Sequence, residues 1–469
     1  MFVLVWMGTS IWHVYKPLPD GLGQSWPLRA ADHVEFLADF TWVDGTGRRH
    51  FEHHIFDRQL ALIDQAEKLI VLDKFLFNDF AGDPDGDGLR SLSAQLGSAL
   101  IQRKQARPAI RIVFITDPIN SQYGGMHSPL LDDLRSNGID VVVTDLDRLR
   151  DSNPVWSGFW RLCCRWWGND QDGGWLPSPV GSQPVTLRSW LRLANFKANH
   201  RKTLIVDSGE NWTGLVTSAN PHDASSAHGN MAVQFTGPAA LDLLASERAI
   251  VAFSAPDQLW SPPAPPASQG QATGATQVQI LTESAILDAV IELLHRSQSG
   301  DSVDLAMFYL SHRRIVEALL AAQSRGSTIR ILLDPNEHAF GRRKNGVPNR
   351  PVAAELNRAG IEVRWCHTHG EQCHSKLLLA HFNDGRAEMI GGTANYTRRN
   401  LNDLNPETAV RVLGPSDESA MQQAADYFER RWNNENGQVF NVPYEHYADE
   451  SRRRYWQYRL MEATGLSTF

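Results

Sequence analysis

Two copies of one short pattern carry the chemical interest of the chain. His200-Arg-Lys202 and His374-Ser-Lys376 are each followed, at matching distance, by a hydroxyl residue and an asparagine: Ser218 with Asn220, and Thr393 with Asn395. A histidine pair can divide the roles of nucleophile and proton donor, because imidazole titrates near neutral pH. Lysines add fixed positive charge, and hydroxyl and amide groups add donors around an anionic group. A single His-x-Lys recurs by chance in any long chain. Two copies with matching followers, in matching order, do not.

The elements that must position these residues are also doubled. Each His-x-Lys opens a short apolar strand, Thr-Leu-Ile-Val after Lys202 and Leu-Leu-Leu-Ala after Lys376. Residues two apart share a face of a strand, so each His and Lys point the same way. The distance to the asparagine suits a hairpin return that lays a second strand beside the first. Upstream, the first half reads as helix 56–67, strand 68–77, helix 89–102, strand from Ile110, a helix ending at Gly138 and strand 139–143. The second half repeats the succession as helix 285–295, strand 302–309, helix 314–324, strand from Ile329, helix 352–358 and strand 361–365. Two Ile-Arg-Ile strands ending in Asp117-Pro118 and Asp334-Pro335 anchor the alignment. Between the halves lies a Pro, Ala and Gly-rich linker at 254–277. The expected division is an apolar N-terminal segment (1–31), a first repeat (32–253), the linker, a second repeat (278–440) and a C-terminal tail (441–469).

Composition fits an ordinary globular chain: 42% hydrophobic and 21% charged residues exclude a disordered chain, a polytopic membrane protein and a fibre. A net charge of −8 leaves no global basic field to hold a polyanion. Four cysteines, two adjacent and two seven apart, make neither a disulfide framework nor a zinc site.

The doubled pattern resembles the phospholipase D superfamily, whose signature is His-x-Lys-x4-Asp followed by Gly-Ser-x-Asn, twice per active site. The resemblance covers roughly residues 50–435. It implies an α/β fold of two tandem phospholipase D-like repeats. Each would be a mixed β-sheet flanked by helices, packed about a pseudo-two-fold axis with one shared active site. It also implies phosphodiester chemistry through a phosphohistidine, with no metal and no cofactor. His200, Lys202, His374 and Lys376 would be catalytic, Ser218, Asn220, Thr393 and Asn395 would bind the phosphate, and Asp207, Glu407 and Asn230 would support them. The pattern is uneven: Asp207 matches the motif acid but its counterpart is His381, and Thr217 stands where a Gly is usual. The carboxylate that orients a catalytic histidine matches Glu407 in the second half and Asn230 in the first. If Glu407 contacts His374 and Asn230 contacts His200, then His374 is the proton donor and His200 the neutral nucleophile.

The superfamily contains both lipid enzymes and nucleases, so the surroundings of the site must decide. The first half carries about 45 extra residues before His200, and this insertion (148–192) interleaves six tryptophans with arginines. That mixture suits lipid headgroups, could also stack bases, and could equally be a packed subdomain. With the acidic balance and the apolar N-terminus it favours a phospholipid substrate, by hydrolysis or by phosphatidyl transfer, as in the cardiolipin synthase branch. A metal-independent nuclease is the alternative. The expected partners are a phospholipid or other phosphodiester and a membrane surface, with nucleic acid disfavoured. The expected location is membrane-associated, with the N-terminal segment read either as a buried or interfacial element or as the end of an anchor that starts upstream. A run at Asp83-Pro-Asp-Gly-Asp-Gly opens like a calcium loop but has Ala94 where a bidentate Glu is required, and reads as a polar turn.

Overall fold

The computed structural model describes residues 1–31, 33–80, 89–178, 181, 183–208, 211–261, 275–339, 342–467 and 469. The Asp83 turn lies outside the described residues, as does 262–274 of the expected linker. Each half builds one large mixed sheet. In the first, the order is Arg49–His53, Val34–Val43, Asn230–Thr236, Asn211–Thr217, Lys202–Ser208, Leu69–Lys74, Arg111–Thr116 and Asp140–Val143. In the second, it is Arg29–Ala30, Gln277–Thr282, Thr408–Pro415, Arg386–Gly392, Lys376–His381, Ser302–Met307, Thr328–Leu333, Glu362–Cys366 and Asn441–Pro443. The two orders match strand for strand around the His-x-Lys strands. Each of these lies mid-sheet, antiparallel to both neighbours, with a run of parallel strands beyond one of them.

Strands in mid-sheet between two covered faces must be apolar throughout, which is why Leu-Ile-Val and Leu-Leu-Leu-Ala follow the lysines. Ile205 faces a core shared with Leu377, Leu379, Met389 and Val410 of the other half. Leu204 and Val206 face an outer core with Ile70, Leu72 and Phe114, and Leu378 and Ala380 face its counterpart with Leu305 and Ile331. The shared inner core joins the two sheets, so the ends of the His-x-Lys strands are held relative to one another by packing.

The expectation of a membrane-associated chain with an anchor is corrected here. Among the described residues, no helix is long and apolar enough to cross a membrane. The apolar N-terminus is the 14-residue helix Phe2–Tyr15, which at 1.5 Å per residue falls short of the roughly 30 Å hydrocarbon core. It docks instead on the helix Pro154–Cys163 of the insertion. Trp6 packs on Phe159 and donates to the Val155 carbonyl, and Arg161 donates to Thr9 Oγ1. Gly158 permits the close crossing, since a Cβ there would stand 2.0 Å from Ser10 Oγ. The insertion itself divides between core and surface: Trp160 is buried under Arg188 and Arg192, whereas Trp166, Trp167 and Trp175 are exposed. The cysteines form two local links, Cys163 to Cys164 and Cys366 to Cys373, which close no long loop.

Candidate active site

The histidines stand at the entry of their strands, and each is held by the opposite half. His200 N–H donates to the Pro406 carbonyl at 3.0 Å, and His374 N–H donates to the Gly229 carbonyl at 2.8 Å. The side chains cross over in the same way. His200 Nδ1 lies 2.8 Å from Glu407 Oε1, and His374 Nδ1 lies 3.2 Å from Asn230 Oδ1. The expected pairing of Glu407 with His374 and Asn230 with His200 is therefore reversed. The physical reason is the cross-half bonding: the residue beside each asparagine or glutamate already pairs with the opposite His segment, as in the Gly229 to Cys373 bridge.

Asn230 is oriented by its own bonds. Its Nδ2 donates to the His228 carbonyl at 3.1 Å, so its Oδ1 faces His374 Nδ1 and also accepts from Ser218 Oγ at 3.0 Å. His374 thus carries its Nδ1 proton toward Asn230 and keeps Nε2 for chemistry. Glu407 is completely buried and accepts from Thr393 Oγ1 and Asn400 Nδ2. Its own N–H donates to Glu283 Oε1, which also receives Arg201 Nη2 at 2.8 Å. Arg201 is the middle residue of the first His-x-Lys and points away from it. The Ser218 and Thr393 hydroxyls, expected to donate to phosphate, are committed to Asn230 and Glu407 instead. Asn220 Nδ2 and Asn395 Nδ2 have no partner among the described residues.

The lysines are matched. Lys202 Nζ donates to the His200 carbonyl and Lys376 Nζ to the His374 carbonyl, both at 2.7 Å. Phe75 stands under Lys202 and against the His200 ring, 4.9 Å between centres, and Phe308 does the same for Lys376 and His374 at 5.1 Å. Burial pushes Lys202 down to about 7, opposed by Glu407, Asp73 and Asp117. Lys376 is pushed down by burial and by Lys202. Burial lowers both histidines as well. His200 falls to about 4 with Glu407 opposing the fall, and His374 falls well below its ordinary value with Lys376, His228 and Lys202 adding to the effect. The site is a buried cationic pocket that an anion would relieve.

Three groups of residues were missed from sequence. Asp117 and Asp334, which end the two alignment strands, each hold the segment before a histidine. Asp117 accepts from the N–H groups of Asn199 and Ile119, and Asp334 from those of Cys373 and Asn336. Burial pushes both carboxyls up to about 7. Phe75 and Phe308 gave no signal beyond their equivalent places after matched strands. His228, beside His374, gave none. Asp207 sits at the far end of its strand, accepting from the N–H groups of Glu67, Lys68 and Leu69, and its bonds are structural.

Residues 290–432 match the family described as cardiolipin synthase, PLD-like domain. No curated protein sequence matches the chain. Among solved structures, phosphatidylserine synthase of Haemophilus influenzae Rd KW20 is similar, with 10% identity and a TM-score of 0.52 over 98% of this chain and 97% of that one. Polyphosphate kinase of Porphyromonas gingivalis gives 13% identity and a TM-score of 0.45 over 93% of this chain and 54% of that one. The phospholipase D family member Nuc of Salmonella typhimurium gives 20% identity and 0.27 over 36% and 99%. The first of these fits shows a shared fold, and the other two are too loose to do so. Residues 290–432 therefore carry a domain similar to the PLD-like domain of cardiolipin synthases, and the shared fold extends over the whole chain.

Proposed function

We propose that the chain cleaves phospholipid phosphodiesters through a phosphohistidine on His200 and passes the phosphatidyl group to water or an alcohol. The observation that carries this reading is the crossed seating of the two histidines. Each Nδ1 is engaged by the opposite half, which leaves both Nε2 atoms for one substrate. His200 Nε2 attacks phosphorus, the bond from phosphorus to the headgroup oxygen breaks, and a His374 imidazolium, whose second proton on Nε2 the bound phosphate anion favours against burial, gives that proton to the oxygen. Water or an alcohol then returns a proton to His374 as its oxygen attacks phosphorus and the P–N bond breaks. Lys202, Lys376, Asn220 and Asn395 hold the phosphoryl oxygens through both steps.

The role of His200 rests on its carboxylate. A ring phosphorylated at Nε2 becomes positively charged, and Glu407 beside Nδ1 stabilises that charge. Asn230 gives His374 no such support, so a proton on His374 leaves readily. Substrate class is supported by the names of the matched family and of the phosphatidylserine synthase, both phospholipid-making proteins, and by the net charge of −8.

The test is incubation with phosphatidylglycerol in detergent micelles, with and without ethanol, followed by lipid mass spectrometry, with single-stranded DNA as a parallel substrate. Phosphatidic acid, and phosphatidylethanol when ethanol is present, are expected. Both are expected to persist in EDTA, since Lys202 and Lys376 supply the positive charge. Cleavage of DNA with no lipid turnover would replace this reading by the nuclease one.

A further inference from the structure

A second pair of matched bonds ties the halves together at the site. The N–H of Ala198, two residues before His200, donates to Asn405 Oδ1 at 3.2 Å. The N–H of Gln372, two residues before His374, donates to His228 Nδ1 at 3.2 Å. Asn405 and His228 stand two residues before Glu407 and Asn230, so they are equivalent positions doing the same job with different side chains. The difference is what the imidazole has left over. A neutral imidazole that accepts at Nδ1 carries its proton on Nε2. Burial, with His222, Lys376 and Arg49 nearby, pushes His228 down to about 3, which keeps the ring neutral at ordinary pH. Its ring centre is 5.9 Å from that of His374, inclined at 51°. Its Nε2–H has no partner among the described residues and is not sealed from solvent. Neither step of the reaction uses it.

We propose that His228 Nε2–H binds the alcohol portion of the substrate, donating to a second acceptor oxygen on the alcohol whose reacting oxygen meets His374. This rests on the reading that His374 serves that alcohol. A ring spacing of this size lets two donors reach neighbouring oxygens of one small molecule without crowding each other. The group recognised is then an alcohol with a further hydroxyl, ether or carboxylate oxygen close to the ester oxygen, in preference to a plain alkyl alcohol. The opposite side of the site lacks the feature, because Asn405 offers the Ala198 amide the same acceptor but its shorter side chain has no atom at the place of an imidazole Nε2.

Calorimetric titration of the full chain with ethyl phosphate and with 2-hydroxyethyl phosphate tests this without requiring turnover. The hydroxylated ester should bind about fivefold more tightly, the effect of one neutral hydrogen bond. His228→Asn retains an acceptor for the Gln372 amide, as Asn405 does for Ala198, but lacks the ring N–H. Its two affinities should become equal while its melting temperature stays close to that of the wild type. Equal affinities in the wild type, or a preference that survives in His228→Asn, would overturn the proposal, and the wild-type comparison decides by itself if the variant does not fold. Failure of the phospholipid reading has a different signature, absent lipid turnover with the binding preference intact.

Discussion

Around His200 the orienting group is a buried carboxylate, Glu407, braced by Thr393, Asn400 and the Glu283–Arg201 pair. Around His374 it is a neutral amide, Asn230, braced by Ser218 and the His228 carbonyl. The backbone around the two is matched bond for bond, from the lysines on the His carbonyls to Asp117 and Asp334 on the preceding segments. One chemical difference in an otherwise repeated frame is a way to make two identical side chains perform different steps. The carboxylate favours the charged ring and so would favour the covalent intermediate proposed on His200. The amide holds a ring in place and leaves its proton loosely bound.

The sharpest way to break this comparison is to remove each histidine in turn and vary the leaving group. With phospholipid, His200→Asn and His374→Asn should both lose about 10³-fold or more in turnover, within the range that a nucleophile or a general acid supplies. A p-nitrophenyl phosphodiester needs no proton on its leaving oxygen. On that substrate His374→Asn should recover about 10²-fold, with a burst of p-nitrophenol as His200 is phosphorylated, whereas His200→Asn should recover nothing. Recovery in His200→Asn alone would exchange the two roles.

Next in size is the loss of each orienting group. Partners that orient a functional histidine are typically worth about 10–100-fold in activity. Glu407→Gln should sit at the upper end of that range and Asn230→Ala at the lower, because only the first also removes charge stabilisation from the intermediate. Equal losses measured by steady-state kinetics would mean that both residues act through geometry alone.

The order of elements was legible in the sequence because periodic apolar runs report which faces are covered. Helix Ala285–His295 is found as Ser284–Arg296 and strand 302–309 as Ser302–Met307. The His-x-Lys pairs were legible because spacing along one strand is local. The crossing of Glu407 to His200 was not, since a contact between repeats leaves no mark in spacing, and Glu407 lies nearer His374 in the chain. Asp117 and Asp334 were noticed only as markers of strand ends. Their function depends on a backbone N–H from a segment distant in sequence, which no residue pattern records.

Those two carboxylates give a smaller and more local effect. Asp117→Asn or Asp334→Asn turns an amide N–H₂ toward a backbone N–H, leaving one buried donor unpaired at a cost of about 1–3 kcal/mol. A drop of about tenfold in kcat, with little change in KM, is expected if the histidine segment shifts without closing the phosphate site. A change confined to melting temperature would reduce both residues to fold supports.

The smallest effect, and the one that tests the electrostatics directly, is a displacement of the pH profile. On the proposed mechanism, His200 must be neutral to attack in the free enzyme, so kcat/KM should fall as pH drops through about 4, where that ring takes up a proton. Lys202 must be charged to hold the phosphate, and a p-nitrophenyl phosphodiester needs no proton from His374, so on that substrate kcat/KM should also fall as pH rises through about 7, where that amine loses its proton. Activity is then greatest between the two. Glu407 raises both values, that of His200 and that of Lys202, against the lowering by burial. Glu407→Gln removes that support from both groups, so the acid limb and the alkaline limb should move to lower pH together. Asn230→Ala touches neither group and should leave both limbs where they are while lowering the whole curve. A Glu407→Gln profile reduced in height but unmoved would show that the carboxylate orients His200 without charging its surroundings, and the two halves of the site would then differ less than their side chains suggest.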